Sequence, residues 1–487
     1  MRRTSYLAII ISILAVAARF ILIDQAFVDY WSWRQSDVAS IARNYFANGF
    51  HFGYPQIDWA GDAPGFVGTE FPILPFIAAL CYKTFGVHEW IGRIQAVILF
   101  ALSLPFFFLL VRKVFGETAA VWALLFYSFA PVGIMTSRCF MPDTPSLALS
   151  IIGLYLFQRW IEDPGSTSSF VWSALCISLS ILIKATSVVI AAPLFCLVFQ
   201  RFRFSALRNL ELWLFASIAL LPSTLWYWHA YEVSLKFFPH HFFGAGGVKI
   251  MSLAWYWNIA KQIPASTLTP LLFVAGLVGA WQTKSTSNAR PLQSWLGAMI
   301  FFIVIVGYGN RHPWYQLPLV PIFAAFAGAA CAFFSVKISS RATKASLSIL
   351  LIALFAVPSF LYARKFYEPT AAPMRDAGLR LKQVAEPIAL IIAADTGYPT
   401  IFYYAERRGW HFLEKDAIYY GAPIDSAQAI ADLETLRRRG GNYLVFTSDT
   451  SWWPDYYAQF GQELTKNWTL VAEIPEFKIY KLNPRSR

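Results

Sequence analysis

Residues 24–76 read DQAFVDYWSWRQSDVASIARNYFANGFHFGYPQIDWAGDAPGFVGTEFPILPF. The stretch carries Asp29, Arg34, Asp37, Asp58, Asp62 and Glu70, while the apolar runs on either side hold almost no acids. How its end is read decides the fold. Residues 72–85 are apolar, and if they crossed a membrane every later span would reverse direction. A crossing helix needs about 20 apolar residues, and Gly86 ends this segment early. It is read as an interfacial or half-buried helix, so the whole of residues 24–93 forms one outer loop.

The surrounding chain is 57% hydrophobic and 14% charged, with mean hydropathy +0.48. Soluble domains carry about 25% charged residues, so the composition excludes an ordinary soluble enzyme. Repeated apolar runs of membrane-crossing length indicate a polytopic α-helical membrane protein, and 19 Trp and 23 Tyr suit two membrane–water interfaces. The net charge of +12 is read as cytoplasmic Lys and Arg, not as a nucleic-acid surface. The five cysteines lie in or beside apolar segments without metal-ligand spacing and read as small packing residues.

The first span is expected at residues 6–23, uncleaved, with Arg2 and Arg3 holding its start in the cytoplasm. Ten more follow at 94–111, 119–135, 146–157, 170–183, 188–198, 210–228, 268–281, 296–307, 317–334 and 347–362, about eleven in all. The inside loops then collect Arg112 and Lys113, Arg159, the arginines at 201, 203 and 208, Lys284 and Arg290, and Lys337, Arg341 and Lys344, a consistent positive-inside pattern. Within the first outer loop, residues 35–48 place Val38, Ile41, Ala42, Tyr45 and Phe46 on one helical face and Asp37, Ser40, Asn44 and Asn48 on the other. This predicts an interfacial helix with Ser36 as N-cap. Residues 229–267 read as a long outer loop. The transmembrane domain is taken as residues 1–363, and residues 364–487 as a small α/β domain. Strands are expected at 388–394 and 442–447, a helix at 426–439, and a hairpin at 469–474 and 477–482.

The outer face gathers the ionisable residues. Intramembrane or interfacial charges are costly and usually have partners or a task. Asp143 sits in SRCFMPDTP beside Pro145, and Asp37 also falls in a first turn, so each fits a helix start as well as a reacting group. Glu70, in GTEFPILP, is likewise placed to cap. Lys184 interrupts SLSILIKATSVVI, and snorkelling to the interface would account for it. Arg138, Arg311 and His312 lie at the same level, where positive-inside bias places few cations. Carboxylates with several cations suit a phosphorylated substrate at a membrane surface: the acids deprotonate an acceptor or hold a divalent ion, and the cations neutralise a leaving phosphate.

The segments SDVASIARNYF, EFPILPFIAALCYKTFGVHEWIGR, SRCFMPDTPSLAL, ILIKATSVVIAAP and RHPWYQLPLVP, in this order and spacing, resemble the GT-C fold membrane glycosyltransferases. The closer resemblance is to the family 39 type that includes protein O-mannosyltransferases and lipid A aminoarabinose transferases. It spans about residues 1–362 as topology. It implies transfer of a sugar from a polyprenyl-phosphate carrier to a hydroxyl of a glycan, lipid or protein, on the periplasmic side of a bacterial inner membrane and usually with inversion. The resemblance makes Asp143 the acid of the second outer loop, Glu70 part of a first-loop Glu/Lys–Pro motif, and Lys184 a carrier-phosphate ligand. Arg34 and Gln35 stand where the family's Asp–Glu pair is expected. Asp37 is therefore taken as the base, with Asp29 the runner-up and Asp58 third. The catalytic set is Asp37, Asp143 and Glu70. The same three are the ligands of any Mg or Mn ion. Arg34, Gln35, Asp29, Asp58, Arg138, Lys184, Arg311, His312 and Tyr315 are expected to bind substrate. The rival reading is a transporter or flippase of a lipid-linked or anionic substrate. Transporters favour repeated halves and midplane sites, and neither is visible here.

Overall fold

A computed structural model of the chain describes residues 3–238, 248–415 and 418–482. The chain divides into two compact units. The first comprises Met1–Ile23, Gly92–Trp228 and Ala245–Lys365; the second comprises Asp24–Ile91, His229–Gly244 and Phe366–Arg487.

The described part of the first unit is built from helices and their connections, as backbone in hydrocarbon requires. Each of the expected spans falls on a helix, although several boundaries move. Among the described residues, five helices are long and apolar enough to cross a membrane: Glu89–Phe115, Ala185–Arg208, Leu210–Lys236, Leu319–Lys337 and Arg341–Lys365. Leu253–Thr267 and Pro270–Gln282 add a broken span bent by 107°. Thr4–Arg19, Glu117–Phe129 and Thr167–Ile183 are apolar but shorter. The chain is thus a multi-pass membrane protein. The expected span at 119–135 is broken at Ala130, because Pro131 starts a new short helix, Pro131–Thr136. The expected loop at 229–267 is also corrected: its described part continues the preceding helix to Lys236 and contains Leu253–Gln262, capped by the Ser252 hydroxyl.

Small residues set the helix spacing. Asp143–Glu162 and Thr167–Ile183 meet through a serine seam, where Ser150 and Ser180 hydroxyls lie 2.7 Å apart and Ser173 donates to the Gly153 carbonyl at 2.7 Å. In a membrane, where apolar side chains gain nothing by leaving lipid, such close packing and interhelical hydrogen bonds supply the adhesion. Gly279 plays the same part: a Cβ there would stand 1.9 Å from the Phe326 carbonyl oxygen.

The second unit is α/β. Its strands are β1 (Leu390–Ala394), β2 (Gly409–His411), the short pair β3 (Glu414–Lys415) and β4 (Ile418–Tyr419), β5 (Gly441–Thr447), β6 (Thr469–Ile474) and β7 (Phe477–Lys481). The five-stranded sheet runs β2-β1-β5-β7-β6; β2, β1 and β5 are parallel, and β7 is antiparallel to both neighbours. Both faces are covered, which is why β1 is apolar at successive positions instead of alternating. Ala372–Val384 and Thr400–Ala405 pack on one face through Met374, Leu381 and Phe402; Ser426–Arg438 and Ala458–Asn467 pack on the other through Leu433, Phe460 and Leu464.

The first loop belongs to this unit. It supplies the helix Ser32–Asn48 and the short helix Ile73–Phe85, which meet around Ile41, Tyr45 and Phe76. Ser36 does not cap the first of these: the helix begins at Ser32, and the buried Ser36 hydroxyl donates to the Ser32 carbonyl and lies 3.1 Å from the Thr400 hydroxyl. Nor is its polar face a wet one. Asp37 and Ser40 are buried along with Ile41 and Tyr45, because residues 56–61 and the helix Thr400–Ala405 cover that side.

Candidate active site

The carboxylates expected to act divide between the two units. In the second, Arg34 is the organising group. Its guanidinium donates to Glu70 Oε1 and Oε2 at 2.9 and 2.8 Å and to Asp37 Oδ2 at 3.2 Å. Asp37 and Arg34 sit three residues apart on one helix face, the spacing at which a guanidinium reaches a carboxylate. Asp37 Oδ1 accepts the indole N–H of Trp59 at 3.2 Å. Both oxygens of the expected base are therefore oriented, one by a cation and one by a neutral donor. Glu70 does not cap the helix Ile73–Phe85, since the pairing with Arg34 takes its side chain elsewhere.

Trp59 is itself fixed. Its ring lies 5.2 Å from that of His411 and 5.3 Å from that of Phe238. His411, at the end of β2, holds Nδ1 2.7 Å from Asp395 Oδ1 at the end of β1. Burial pushes the Asp395 carboxyl above the ordinary carboxylate range, and the adjacent imidazole partly offsets this. A buried acid–imidazole pair at the carboxyl ends of parallel strands thus stands behind the indole that holds Asp37.

The two other base candidates are engaged elsewhere. Asp29 is fully buried and accepts from Gln35 Nε2 at 2.6 Å. Asp58 is paired with Arg43 and accepts from Asn44 at 2.9 Å; burial raises its pKa, Arg43 pulling the other way.

In the first unit, Asp143 opens the helix Asp143–Glu162 but caps nothing with its side chain. Its Oδ1 lies 2.6 Å from the Lys184 ammonium, the side chains being 1% and 11% exposed. Lys184 closes the helix Thr167–Ile183, so two helix ends bring opposite charges together. Tyr315 lies beneath the ammonium, 4.7 Å from ring centroid to nitrogen, a cation–π contact. Asp143 and Lys184 line a cavity of about 20 Å³ with Ser150, Trp295, Trp314 and Tyr315, room for about one water molecule. Asp143 Oδ2 is buried with no hydrogen-bond partner among the described residues. An acceptor atom so placed is costly unless something donates to it.

The remaining cations have partners of their own. Arg138 is fully buried and donates to the Leu22 carbonyl at 2.5 Å. Arg311 donates to the Tyr308 carbonyl and covers that ring at 3.9 Å. His312 stacks on Trp314 at 4.5 Å. A divalent ion finds no ready-made set: among the described residues no group of three or more His, Cys, Asp or Glu side chains could hold one, and Asp37 and Glu70 already share a guanidinium. Arg43, Trp59, His411 and Asp395 are the participants that reasoning from sequence missed. The one signal was the pair Asp58-Trp59, read for its acid and not for its indole.

Residues 64–228 match the family model described as dolichyl-phosphate-mannose-protein mannosyltransferase. In structure the whole chain resembles ArnT from Cupriavidus metallidurans in the apo state, with TM-score 0.68 and 16% identity over 99% of this chain and 100% of that one. The chain has the GT-C fold. ArnT bound to undecaprenyl phosphate matches the GT-C chain almost as well, with TM-score 0.67, 16% identity, and 99% and 100% coverage. The oligosaccharyltransferase of Archaeoglobus fulgidus in the apo form gives TM-score 0.63 at 13% identity, covering 92% of this chain and 70% of that one. No curated protein matches. The resemblance to GT-C enzymes of the family 39 type, read from sequence, is borne out.

Proposed function

We propose that the protein is a glycosyltransferase that moves a sugar from a polyprenyl-phosphate carrier to an acceptor hydroxyl at the periplasmic face of a bacterial inner membrane. The observation that carries this reading is the buried Asp143–Lys184 pair. A lysine ammonium at a helix end, fixed by a buried carboxylate whose second oxygen lacks a donor among the described residues, is a cation suited to a carrier phosphate. The ArnT relative has been seen with undecaprenyl phosphate, a ligand of that chemistry.

The reaction is a single displacement. Asp37, held by Arg34 and Trp59, takes the proton of the acceptor hydroxyl. The oxygen forms a bond to the anomeric carbon as the bond from that carbon to the carrier phosphate breaks, and the pair of electrons leaves with the phosphate. Lys184 neutralises the departing charge. Asp143 fixes the ammonium and accepts a hydrogen bond through Oδ2. Glu70 sets the position of Arg34. No step needs a metal ion, since a guanidinium occupies the place between Asp37 and Glu70.

Membranes holding the protein are incubated with labelled lipid-linked sugars, and transfer is followed. Loss of transfer in both Asp37→Asn and Asp143→Asn is expected; full activity in the two together overturns the assignment. The broken span at Leu253–Gln282 is the feature a transporter would share. Net movement of a lipid-linked sugar by vesicles of the pure protein, without a change of bonding, would favour that reading instead.

A further inference from the structure

A cleft of about 590 Å³ opens in the second unit, away from Asp37 and Glu70. It lies within the size range of ligand sites, about 300–1,000 Å³, but its wall is mostly polar where such sites are mostly apolar. Asn44, Asn48, Gln56, Asp58 and Arg408 line it. Hydrogen bonds among them and to nearby carbonyls hold them in place. Asn44 donates to Asp58 at 2.9 Å and to the Gln56 carbonyl at 3.0 Å; Asn48 donates to Gln56 Oε1 at 3.0 Å; Gln56 donates to the Pro64 carbonyl at 3.1 Å. Arg408 gives one N–H to the Ala63 carbonyl at 3.1 Å and has four more to offer.

Asn44 and Asn48 follow Asp37 at intervals of seven and four residues, so the three lie along one face of the helix Ser32–Asn48. Asp58 faces the cleft, while its neighbour Trp59 donates to Asp37. The cleft and the proposed base are thus two ends of one polar track. We propose that the cleft binds the saccharide portion of the acceptor, and so that the acceptor is a glycan. This rests on the transferase reading above. Interleaved amides, a guanidinium and a carboxylate offer donors and acceptors by turns, as adjacent sugar hydroxyls require. A lipid tail finds too little apolar wall. A peptide finds no free edge of β2 to extend at the cleft, because residues 58–61 already cover it: Gly61 N–H donates to the Gly409 carbonyl at 2.7 Å, and Gly409 N–H to that of Asp58 at 3.0 Å.

The test uses the full chain in detergent micelles. The probe is a size-fractionated pool of oligosaccharides released by mild acid from the host envelope, with binding read by saturation-transfer NMR. The wild type is expected to bind, and the double variant Asn48→Ala, Arg408→Ala to bind about tenfold more weakly; both side chains are exposed, so folding tolerates their loss. Ala47→Trp, which fills the cleft without removing a polar group, is expected to weaken binding as much. In the transfer assay the same variants raise the acceptor KM about as much as they weaken binding, with the donor KM unmoved. Equal binding by wild type and variants overturns the proposal, as does undiminished transfer to a protein or lipid fraction in the variants. If the probe binds and the variants weaken it, yet no preparation transfers sugar, the cleft stands and the transferase reading falls.

Discussion

The Asp143–Lys184 pair makes a demand that can be measured. At 2.6 Å and an effective dielectric constant of about 20, the gross attraction is about 6 kcal/mol. Removing two ions from water costs several kcal/mol each, so the intact pair adds little net stability. Removing one partner is another matter, for it leaves a charge among Trp295, Met299 and Trp314. Lys184→Met should therefore cost about 3–5 kcal/mol, as should Asp143→Leu, while the double variant should return to within about 1 kcal/mol of wild type. Equilibrium unfolding in mixed micelles reads all four corners of this cycle. Sugar transfer gives the contrast: Lys184→Met should lose about 100- to 1,000-fold in kcat, the loss typical of removing one group that stabilises a leaving charge, and the double variant should regain stability without regaining rate. If each single variant costs under about 1 kcal/mol and the two simply add, the pair is solvated, and the reasoning from burial fails.

Four further outcomes follow from the geometry. Trp59→Phe keeps the ring against His411 but removes the N–H donated to Asp37; a hydrogen bond to a charged group contributes about 1.5–3 kcal/mol, so kcat should fall at least about tenfold with the fold intact by circular dichroism. Arg34→Gln should lower transfer severely and Arg34→Lys restore only part of it, since the two amino nitrogens of the guanidinium reach Glu70 and Asp37 at once and a compact ammonium lacks that spread; full rescue by lysine would show that charge alone suffices. Glu386 accepts from Lys481 and Tyr443 and is lowered to about 2; being depressed, it stabilises the fold above the ordinary carboxylate range and loses that effect as pH falls toward about 2, so Glu386→Gln should narrow the difference in melting temperature between pH 7 and pH 2, modestly because the site is exposed. Gly61 has φ +66°, and a Cβ would meet the Trp410 indole at 1.9 Å; Gly61→Ala should destabilise by more than the about 1–2 kcal/mol that a left-handed residue alone costs, seen as faster proteolysis of residues 56–68.

What could be read from the sequence is what local spacing encodes. Apolar runs marked the helices of the first unit, and the sheet order's raw material was plain in the segments around Ile392, Val445 and Ile479. Lys184 could be singled out because a cation in an apolar run is costly whatever surrounds it, and Asp143 because few acids stand near it. The pairings that give these residues meaning join distant parts of the chain: Arg34 with Glu70, Arg43 with Tyr403, Trp59 with His411. Periodicity is blind to them. The helix Ser32–Asn48 shows why. Its alternation of apolar and polar faces was correctly seen, but a polar face is ambiguous between water and a polar partner. Here the partner is protein, for Asp37 meets Trp59 and Asn44 meets Asp58.

The same ambiguity explains the departure at Arg34 and Gln35. By sequence they look like a defect, a cation and an amide where carboxylates are expected. In the fold each is matched: Gln35 serves the buried Asp29, and Arg34 stands between Asp37 and Glu70. A guanidinium carries its charge permanently and fixes the directions of its hydrogen bonds, so it orients two carboxylates without needing an ion from solution. Orientation of Asp37, the proposed base, then depends on a covalently tethered group whose occupancy cannot vary. For the same reason chelators such as EDTA should leave transfer unchanged in the wild type, while Arg34→Asp, which restores a third carboxylate to the cluster, should make any remaining transfer depend on added Mg or Mn. Transfer by the wild type that is abolished by EDTA and restored by either ion would refute this account of the Arg34 cluster.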